Sequence, residues 1–414
     1  MAEKKKTAPA MMLTGCDLLD LLVGGDKGVY GLPFGTIVNI IGDKSAGKSF
    51  LKNEIIAANH WALGDSMRWE SDDCESGDTF DTTRLYGFDI HPAGRRIGSK
   101  KDIEDSATIE EMDAKVSLFL ESMDEGQVGI YAVDSLDGLS DATREAMEAG
   151  RLGQLKNGKD VKDPGDYGAQ IAKFLSQQFF RTKHKKLEDA GVSLILVSQI
   201  RDKMNAATYG PKWEVSCGKA LEFYCHTRIF LKTVLQIKKG DRVVGAYVEA
   251  TTIKSKTPRP YRKVYYSVYF DYGLDNIGSN IDYLFDLRTD KGEIIKDAAS
   301  AIVWESGKKQ KDLAGLTAWL DETGLKEACR TAKKEKTGNS TLSVAWILEW
   351  EGSSPEIHEK FLEAFGKEFS RDELITMCDK NPEMREELTR RVREKWEAAE
   401  DAVATNRPSK YARG

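Results

Sequence analysis

The chain has 414 residues, of which 40% are hydrophobic and 31% are charged. This length exceeds one ordinary domain, and the composition is typical of a globular protein. The formal net charge of −6 neither supports nor excludes a nucleic-acid partner, because a local basic surface matters more than the total. The sequence contains no apolar run long enough to cross a membrane and no signal-peptide pattern, so we expect a cytoplasmic protein.

The cysteines and histidines give no indication of a zinc site. None of the six cysteines forms a CxxC pair, and the five histidines have no ligand spacing. We therefore expect reduced, mostly buried thiols and no metal other than Mg²⁺.

The first part of the chain alternates between short apolar strands and amphipathic helices. Strands of this kind, joined by crossover helices, predict an α/β fold with a mostly parallel sheet covered by helices on both faces. The predicted strands are residues 36–41, 66–72, 128–133 and 192–197, and the predicted helices are residues 50–63, a helix opened by a capping box at 108–111, and residues 167–190.

The pattern changes twice further along the chain. Three runs that resemble adjacent antiparallel strands are predicted to extend the sheet at one edge, and helical, polar segments follow them. We expect a short N-terminal arm (residues 1–13), a core (14–279) and a smaller, mostly helical C-terminal domain with a basic tail (280–414). The strand-like runs are residues 228–237, 243–253 and 263–272, and the helix candidates are 312–331, 342–351, 357–365, 371–378 and 382–404.

A phosphate-binding loop is predicted at residues 42–49, which read GDKSAGKS and match G-x-x-x-x-G-K-[ST] between a strand and a helix. Its glycines let backbone N–H groups point at phosphates, and the helix N-terminus adds positive charge. We expect Lys48 to reach the β- and γ-phosphates of ATP, and Ser49 to ligate Mg²⁺ together with Asp134 at the end of another strand. The predicted nucleotide-binding residues are Gly42, Asp43, Lys44, Ser45, Ala46, Gly47, Lys48, Ser49 and Asp134.

Hydrolysis also needs a group that positions or deprotonates the attacking water. Several acids follow the second strand, and their spacing alone does not choose among them. They are Glu70, Asp72, Asp73 and Glu75.

An ordered series of segments resembles the RecA family of homologous-recombination ATPases, phage members included. The series is TGCDLLDLLVGG (residues 14–25), GLPFGTIVNIIG (31–42), VSQIRDKMN (197–205) and CGKALEFY (217–224). The resemblance covers roughly residues 14–276. It implies a RecA-type core.

The resemblance also implies roles for individual residues. Glu75 matches the glutamate that activates water, and Gln199 matches the glutamine that senses the γ-phosphate. Lys254 and Lys256 match lysines that reach the ATP of the neighbouring subunit, and Tyr272 matches an aromatic residue that packs near the adenine.

Two segments match the DNA-binding loops of the family, residues 141–167 for the first loop and 200–216 for the second. The second segment offers cations for phosphates and large side chains for base faces. Its predicted DNA-binding residues are Arg201, Lys203, Met204, Asn205, Tyr209, Lys212 and Trp213.

The sequence therefore predicts a DNA-dependent ATPase that binds single-stranded DNA, forms a helical filament and promotes pairing and strand exchange with homologous duplex DNA. A single-strand-binding or mediator protein is an expected further partner. Two alternatives stay open: a ring-forming motor or helicase with the same core, and a nucleotide-switched recombination mediator that does not itself exchange strands.

Overall fold

The structure is a computed structural model, and it describes residues 11–24, 28–75, 81–91, 105–141, 169–202, 213–215, 218–257, 260–304, 313–342, 346–347, 350 and 367–404. The chain divides into two compact units. Unit 1 holds the described residues up to Tyr283, residues 290–292 and the described residues from Thr389 onward. Unit 2 holds Leu284–Thr289 and Glu293–Leu388. The division differs from the predicted domain bounds, because the end of the chain groups with the core.

Unit 1 contains strands and helices in alternation along the chain. Its strands are β1 (Met11–Met12), β2 (Leu32–Pro33), β3 (Ile37–Gly42), β4 (Met67–Asp72), β5 (Val128–Val133), β6 (Val192–Asp202), β7 (Trp213–Val215), β8 (Thr227–Lys239), β9 (Arg242–Ser255), β10 (Lys263–Tyr269) and β11 (Gly273–Asp275). Its helices are α1 (Asp17–Val23), α2 (Lys48–Leu63), α3 (Thr82–Tyr86), α4 (Ile109–Glu121), α5 (Ala169–Phe174), α6 (Phe180–Ala190), α7 (Gly218–Tyr224) and α8 (Asn276–Leu284), with a π-helical turn at Leu175–Phe179 between α5 and α6.

A mostly parallel sheet forms the centre of unit 1. Its strand order is β11-β10-β9-β8-β3-β6-β5-β4, and β7 pairs with β6. The ladders from β4 to β8 are parallel, whereas β9, β10 and β11 add antiparallel strands at one edge. The predicted α/β class is therefore confirmed, as is the antiparallel extension.

Helices cover both faces of this sheet. Every residue of β3 is buried, as expected for a central strand without a solvent face. On one face, α4 and α6 pack against Tyr131, Val133 and Leu194 through a single apolar cluster that includes Phe119 and Phe180. The alternate residues of these strands point to the other face, where α2 packs.

The predicted capping box at the start of α4 is present. The Thr108 side chain accepts a hydrogen bond from the Glu111 N–H, and the Glu111 carboxylate reaches back to the Thr108 N–H at 3.3 Å. This arrangement satisfies two backbone donors that the helix start would otherwise leave unpaired.

A long helix, α13 (Pro382–Ala402), returns the chain to unit 1. Its second half is attached there by polar contacts, because Thr389 donates to Asp17 at 3.0 Å and Glu397 accepts from the Tyr30 hydroxyl at 2.9 Å. The guanidinium of Arg393 also lies 4.3 Å from the centre of the Tyr30 ring. These contacts explain why the last helix belongs with the core rather than with a separate C-terminal domain.

Unit 2 is smaller and combines helices with a two-stranded sheet that the sequence did not reveal. The predicted helix at 312–331 is wrong in extent, because the chain turns at Gly324, where φ is +72°, and a second helix begins. A backbone angle in that region favours glycine and ends the first helix. The described elements are α9 (Lys296–Ser300), β12 (Ile302–Trp304), α10 (Leu313–Glu322), α11 (Lys326–Thr337), β13 (Lys367–Phe369) and α12 (Arg371–Lys380), and β12 pairs with β13.

Most of the predicted helix at 342–351, and the whole of the one at 357–365, lie outside the described residues. Within the part of the chain that is described, no helix has the length and apolar character needed to cross a membrane.

Glu54 is a partly buried acid in the middle of α2. Burial raises its pKa from 4.5 to about 7, against the opposing effect of a hydrogen bond from the Leu274 backbone. The folded state thus holds this proton more tightly than the unfolded state does. Stability consequently falls as the pH rises from about 4.5 to about 7 and then levels off.

We expect Glu54→Gln to stabilise the protein at pH 8 by about 1–3 kcal/mol, because the amide can accept the same backbone hydrogen bond without a buried charge. At pH 5 the change should be near zero. Urea unfolding at both pH values measures this, with the exposed Glu125→Gln as the matched control. An equal effect of Glu54→Gln at both pH values would contradict the assignment.

Candidate nucleotide site

The predicted phosphate-binding loop joins the central strand β3 to the 16-residue helix α2. The loop turns into the helix through Gly47, whose φ of +82° is a conformation that L-amino acids with a side chain rarely adopt. Lys48, the first residue of α2, folds back over the loop. Its Nζ donates to the backbone oxygens of Gly42 and Asp43 at 3.0 and 2.7 Å. The ammonium therefore lies at the mouth of the loop.

Several acids surround Lys48. Burial lowers the pKa of Lys48, and the carboxylates of Asp134 and Glu75 partly oppose this effect. Asp134 follows directly after β5 and is 7% exposed, and its backbone N–H donates to Asp72 at 2.9 Å. The structure thus brings Asp134 and Glu75 near Lys48, although the three residues are far apart in the sequence.

Asp134 has the character of a cation ligand. Its Oδ2 is buried and makes no hydrogen bond, and it lies 3.3 Å from the ammonium of Lys52. Among the residues that the structure describes, no group of three or more His, Cys, Asp or Glu side chains could hold a metal ion by itself. One carboxylate, a hydroxyl such as that of Ser49 and phosphate oxygens suit Mg²⁺, which is seldom bound by an all-protein cage.

Glu75 and Gln199 meet at the carboxyl ends of β4 and β6. The Gln199 amide Nε2 lies 2.9 and 3.1 Å from the two carboxylate oxygens of Glu75. The Ser135 hydroxyl donates to Glu75, and the Gln199 backbone N–H donates to Asp137 at 2.8 Å. A side chain of β6, the strand that pairs with β3, is therefore linked directly to the predicted water-activating acid.

The other acids that the sequence offered have different surroundings. Asp72 is buried and accepts hydrogen bonds from Ser106 and from the Tyr131 hydroxyl, so its carboxylate is occupied. The backbone N–H of Asp73 donates to Asp105 at 3.1 Å. Of the candidates, Glu75 is the one whose carboxylate contacts Gln199.

Lys254 and Lys256 lie on the side of the sheet where β3 begins, whereas the phosphate loop follows the end of β3. This side is called the lysine edge. The Ile37 oxygen, at the start of β3, accepts a hydrogen bond from His226, whose own oxygen accepts from the Lys256 N–H. Since β3 rises about 3.3 Å per residue, its two ends are roughly 16 Å apart. Lys256 therefore lies far from the phosphate loop of its own chain, and the Lys254 ammonium is bound to the carboxyl end of α7.

The lysine edge is electropositive. Lys254 Nζ donates to the Phe223 oxygen at 2.9 Å and to the Glu222 oxygen, at the carboxyl end of α7. Burial, together with the nearby charges of Lys256 and Lys254, lowers the pKa of His226 to about 4. The imidazole is accordingly neutral near pH 7 and adds no positive charge to that of the two lysines.

Tyr272 lies in the turn between β10 and β11, on the antiparallel side of the sheet. Its side chain is exposed, and Arg84 of α3 donates to the adjacent Asp271 oxygen at 3.2 Å. Gly273 of the same turn lies near the Glu54 carboxylate of α2. Tyr272 therefore lies in a turn beside α2, the helix that begins at the phosphate loop.

The predicted second DNA-binding loop begins and ends as a strand pair rather than as an irregular loop. Ile200 pairs with Val215, and Asp202 pairs with Trp213, so β6 and β7 form the base of a hairpin. The Trp213 ring stacks on Phe230, with centroids 5.0 Å apart, which uses one of its faces inside the protein. The backbone of Arg201 belongs to this ladder. Lys203, Met204, Asn205, Tyr209 and Lys212 lie outside the described residues, as does the predicted first loop from residue 142.

The sequence reasoning missed Ser135, Asp137 and Lys52. The first two lie one and three residues after Asp134 in the run VDSLD, so their position after a strand end was a usable signal. The signal for Lys52 was weaker, because a lysine in a helix ordinarily indicates a solvated face.

This strand–loop–helix unit, with an acidic residue at the end of another strand of the sheet, is typical of P-loop nucleotide-binding proteins. A family model described as the RecA N-terminal domain matches residues 157–275. The protein named "Protein RecA" from Sulfurovum sp. (strain NBC37-1) is 27% identical over 283 residues, which are 68% of this chain and 72% of that protein. These matches confirm the resemblance of this chain to the RecA family.

A solved structure entitled "Crystal structure of the RadB recombinase" also matches. It aligns with 64% of this chain and 100% of that chain, at 14% identity and a TM-score of 0.41. A likeness of that size supports no inference about this chain.

Proposed function

We propose that this protein is an ATPase that binds ATP and Mg²⁺ at residues 42–49 and acts in DNA recombination as a filament on single-stranded DNA. The observation that carries the proposal is the hydrogen-bonded pair of Glu75 and Gln199 beside Lys48 and Asp134. It joins a hydrolytic acid to the strand that leads into the predicted DNA-binding loop.

In the proposed reaction, Lys48 and the N-terminus of α2 stabilise the phosphate charge. Ser49 and Asp134 would hold Mg²⁺, which would supply positive charge for the transferred phosphoryl group. Glu75 positions the attacking water at the carboxyl ends of the strands.

Gln199 would report the state of the nucleotide. Its amide now donates to Glu75 while its backbone N–H donates to Asp137. A γ-phosphate would offer the amide a charged acceptor in competition with Glu75. Because β6 continues without interruption from Gln199 to Asp202, the change would be transmitted to the hairpin base and the loop beyond it.

Lys254 and Lys256 would act on the nucleotide of a second copy. Their edge of the sheet is too far from their own phosphate loop, and it is electropositive. Stacking of copies in a head-to-tail manner would bring this edge to a neighbour's phosphates, and such contacts generate rings or filaments. Pairing of homologous strands, with single-stranded and duplex DNA as substrates, belongs to the same proposal.

We expect Lys48→Ala to abolish ATP hydrolysis, because its ammonium lies at the loop mouth, where it would stabilise the phosphate charge. A phosphate-release assay with and without single-stranded DNA measures the effect. The exposed Lys186→Ala serves as the lysine control and should retain the wild-type rate. Wild-type turnover by Lys48→Ala would place the phosphate site elsewhere.

Glu75→Gln should slow hydrolysis by ~100-fold or more while preserving ATP and DNA binding. Glutamine can still accept the hydrogen bond from Gln199, so the variant removes the charge and keeps the contact. Single-turnover hydrolysis and nucleotide binding should be measured side by side, with Asp73→Asn as the matched control. An unchanged rate in Glu75→Gln, with a slowed Asp73→Asn, would transfer the role to Asp73.

The DNA-linked part of the proposal is tested by electron microscopy and by affinity for single-stranded DNA in three states: a non-hydrolysable ATP analogue, ADP and no nucleotide. We expect filaments and the tightest binding with the ATP analogue. Closed rings that unwind a forked duplex would favour the helicase alternative. Equal DNA binding in all three states, with a slow ATPase that DNA does not change, would favour the mediator.

A further inference from the structure

Lys52 is a fully buried lysine in the helix that begins at the phosphate-binding loop. Its relative exposure is 0%, and its Nζ lies 3.3 Å from Asp134 Oδ2. It follows Lys48 by four residues, so both lysines project from the same side of α2. An ammonium group removed from water is strongly unfavourable unless an anion lies beside it, and Asp134 supplies that anion.

The carboxylate of Asp134 keeps a free coordination position in spite of this ion pair. The contact with Lys52 does not have hydrogen-bond geometry, and Oδ2 makes no hydrogen bond with any described group. The backbone of Asp134 is fixed as well, since its N–H donates to Asp72 and its oxygen accepts from Glu75. Lys52 therefore acts on a carboxylate that is held in place and can still take a second cation.

On the basis of the proposed nucleotide site, we propose that Lys52 is a built-in counter-cation for Asp134. It balances the buried carboxylate when Mg²⁺ is absent, and it weakens the binding of Mg²⁺ when no nucleotide phosphate is present. Lys52 and Mg²⁺ carry charge of the same sign beside one carboxylate in a poorly solvated place, so each disfavours the other. Phosphate oxygens then supply the additional negative charge that retains the metal.

Lys52 would affect the order in which Mg²⁺ and the nucleotide bind. A phosphate loop whose only acidic ligand was an unpaired carboxylate would collect free Mg²⁺ before any nucleotide arrived. With Lys52 in place, Mg²⁺ and nucleotide enter together, because neither alone satisfies the charge balance. Lys52 is thus a positioning and charge-setting residue that acts through Asp134 and does not touch the reacting atoms.

Lys52→Met removes the charge and keeps an apolar side chain of similar length. We expect the Mg²⁺ midpoint for binding of a fluorescent ADP analogue to fall on the order of tenfold relative to wild type. MgCl₂ alone should also raise the melting temperature of Lys52→Met more than that of wild type. Lys52→Arg, which keeps the charge, should retain the wild-type Mg²⁺ midpoint. A midpoint in Lys52→Met that equals or exceeds the wild-type value would overturn the proposal.

A second pair of variants tests the ion pair even if Lys52→Met fails to fold. Asp134→Asn leaves the ammonium without its anion, so the double variant Lys52→Met/Asp134→Asn should melt at a higher temperature than Asp134→Asn alone. The double variant should also lose the response to MgCl₂. A double variant no more stable than Asp134→Asn would refute the counter-cation role.

The same titrations separate this inference from the proposed function. If wild type shows no Mg²⁺-dependent ADP binding at all, the nucleotide site itself is wrong and the inference goes with it. If wild type binds ADP with Mg²⁺ and Lys52→Met binds with the same midpoint, only the role of Lys52 is wrong.

Discussion

The balance of charge at the carboxyl ends of the parallel strands governs the rest of this structure. β4, β5 and β6 deliver Glu75, Asp134 and Gln199 to one edge of the sheet, and the helix after β3 delivers Lys48 and Lys52 to the same place. Carboxylates this close together would repel one another if they were unpaired. The two lysines offset that repulsion. A Mg²⁺-bound triphosphate would therefore enter a site in which carboxylates and ammonium groups already balance each other's charge.

A proposed route from this edge to DNA passes through one strand. β6 carries Gln199 at the edge of the site and continues to Asp202, where it pairs with β7. Trp213 at the base of the hairpin stacks on Phe230 of β8. A shift of the Gln199 amide would therefore act on a strand that is paired with β7 and packed against β8 through this ring contact.

The sequence predicted the elements whose signals are local. The phosphate loop, the buried strands and the capping box of Thr108 are each encoded by a few neighbouring residues, and the structure contains all of them. The pairing of β12 with β13 joins residues more than sixty positions apart, and no short pattern encodes it. The contact of Glu75 with Gln199 joins residues 124 positions apart, and the burial of Lys52 depends on the packing of α2 against the sheet, so no local pattern reveals either.

The phosphate loop and Lys254 lie on different sides of the sheet. One copy of this chain would therefore lack, at its own phosphate loop, the lysines that the proposed function requires. Bringing Lys254 onto its own phosphate loop would require β9 to slide along β8 by several residues, which would break a ladder whose inward side chains are buried. The lysines at this edge therefore either bind only the carbonyl oxygens at the end of α7 or also contact a second molecule. Burial, together with the charges of Lys256 and Lys254, lowers the pKa of His226, so the two lysines supply the positive charge that an anion from a neighbouring copy would meet.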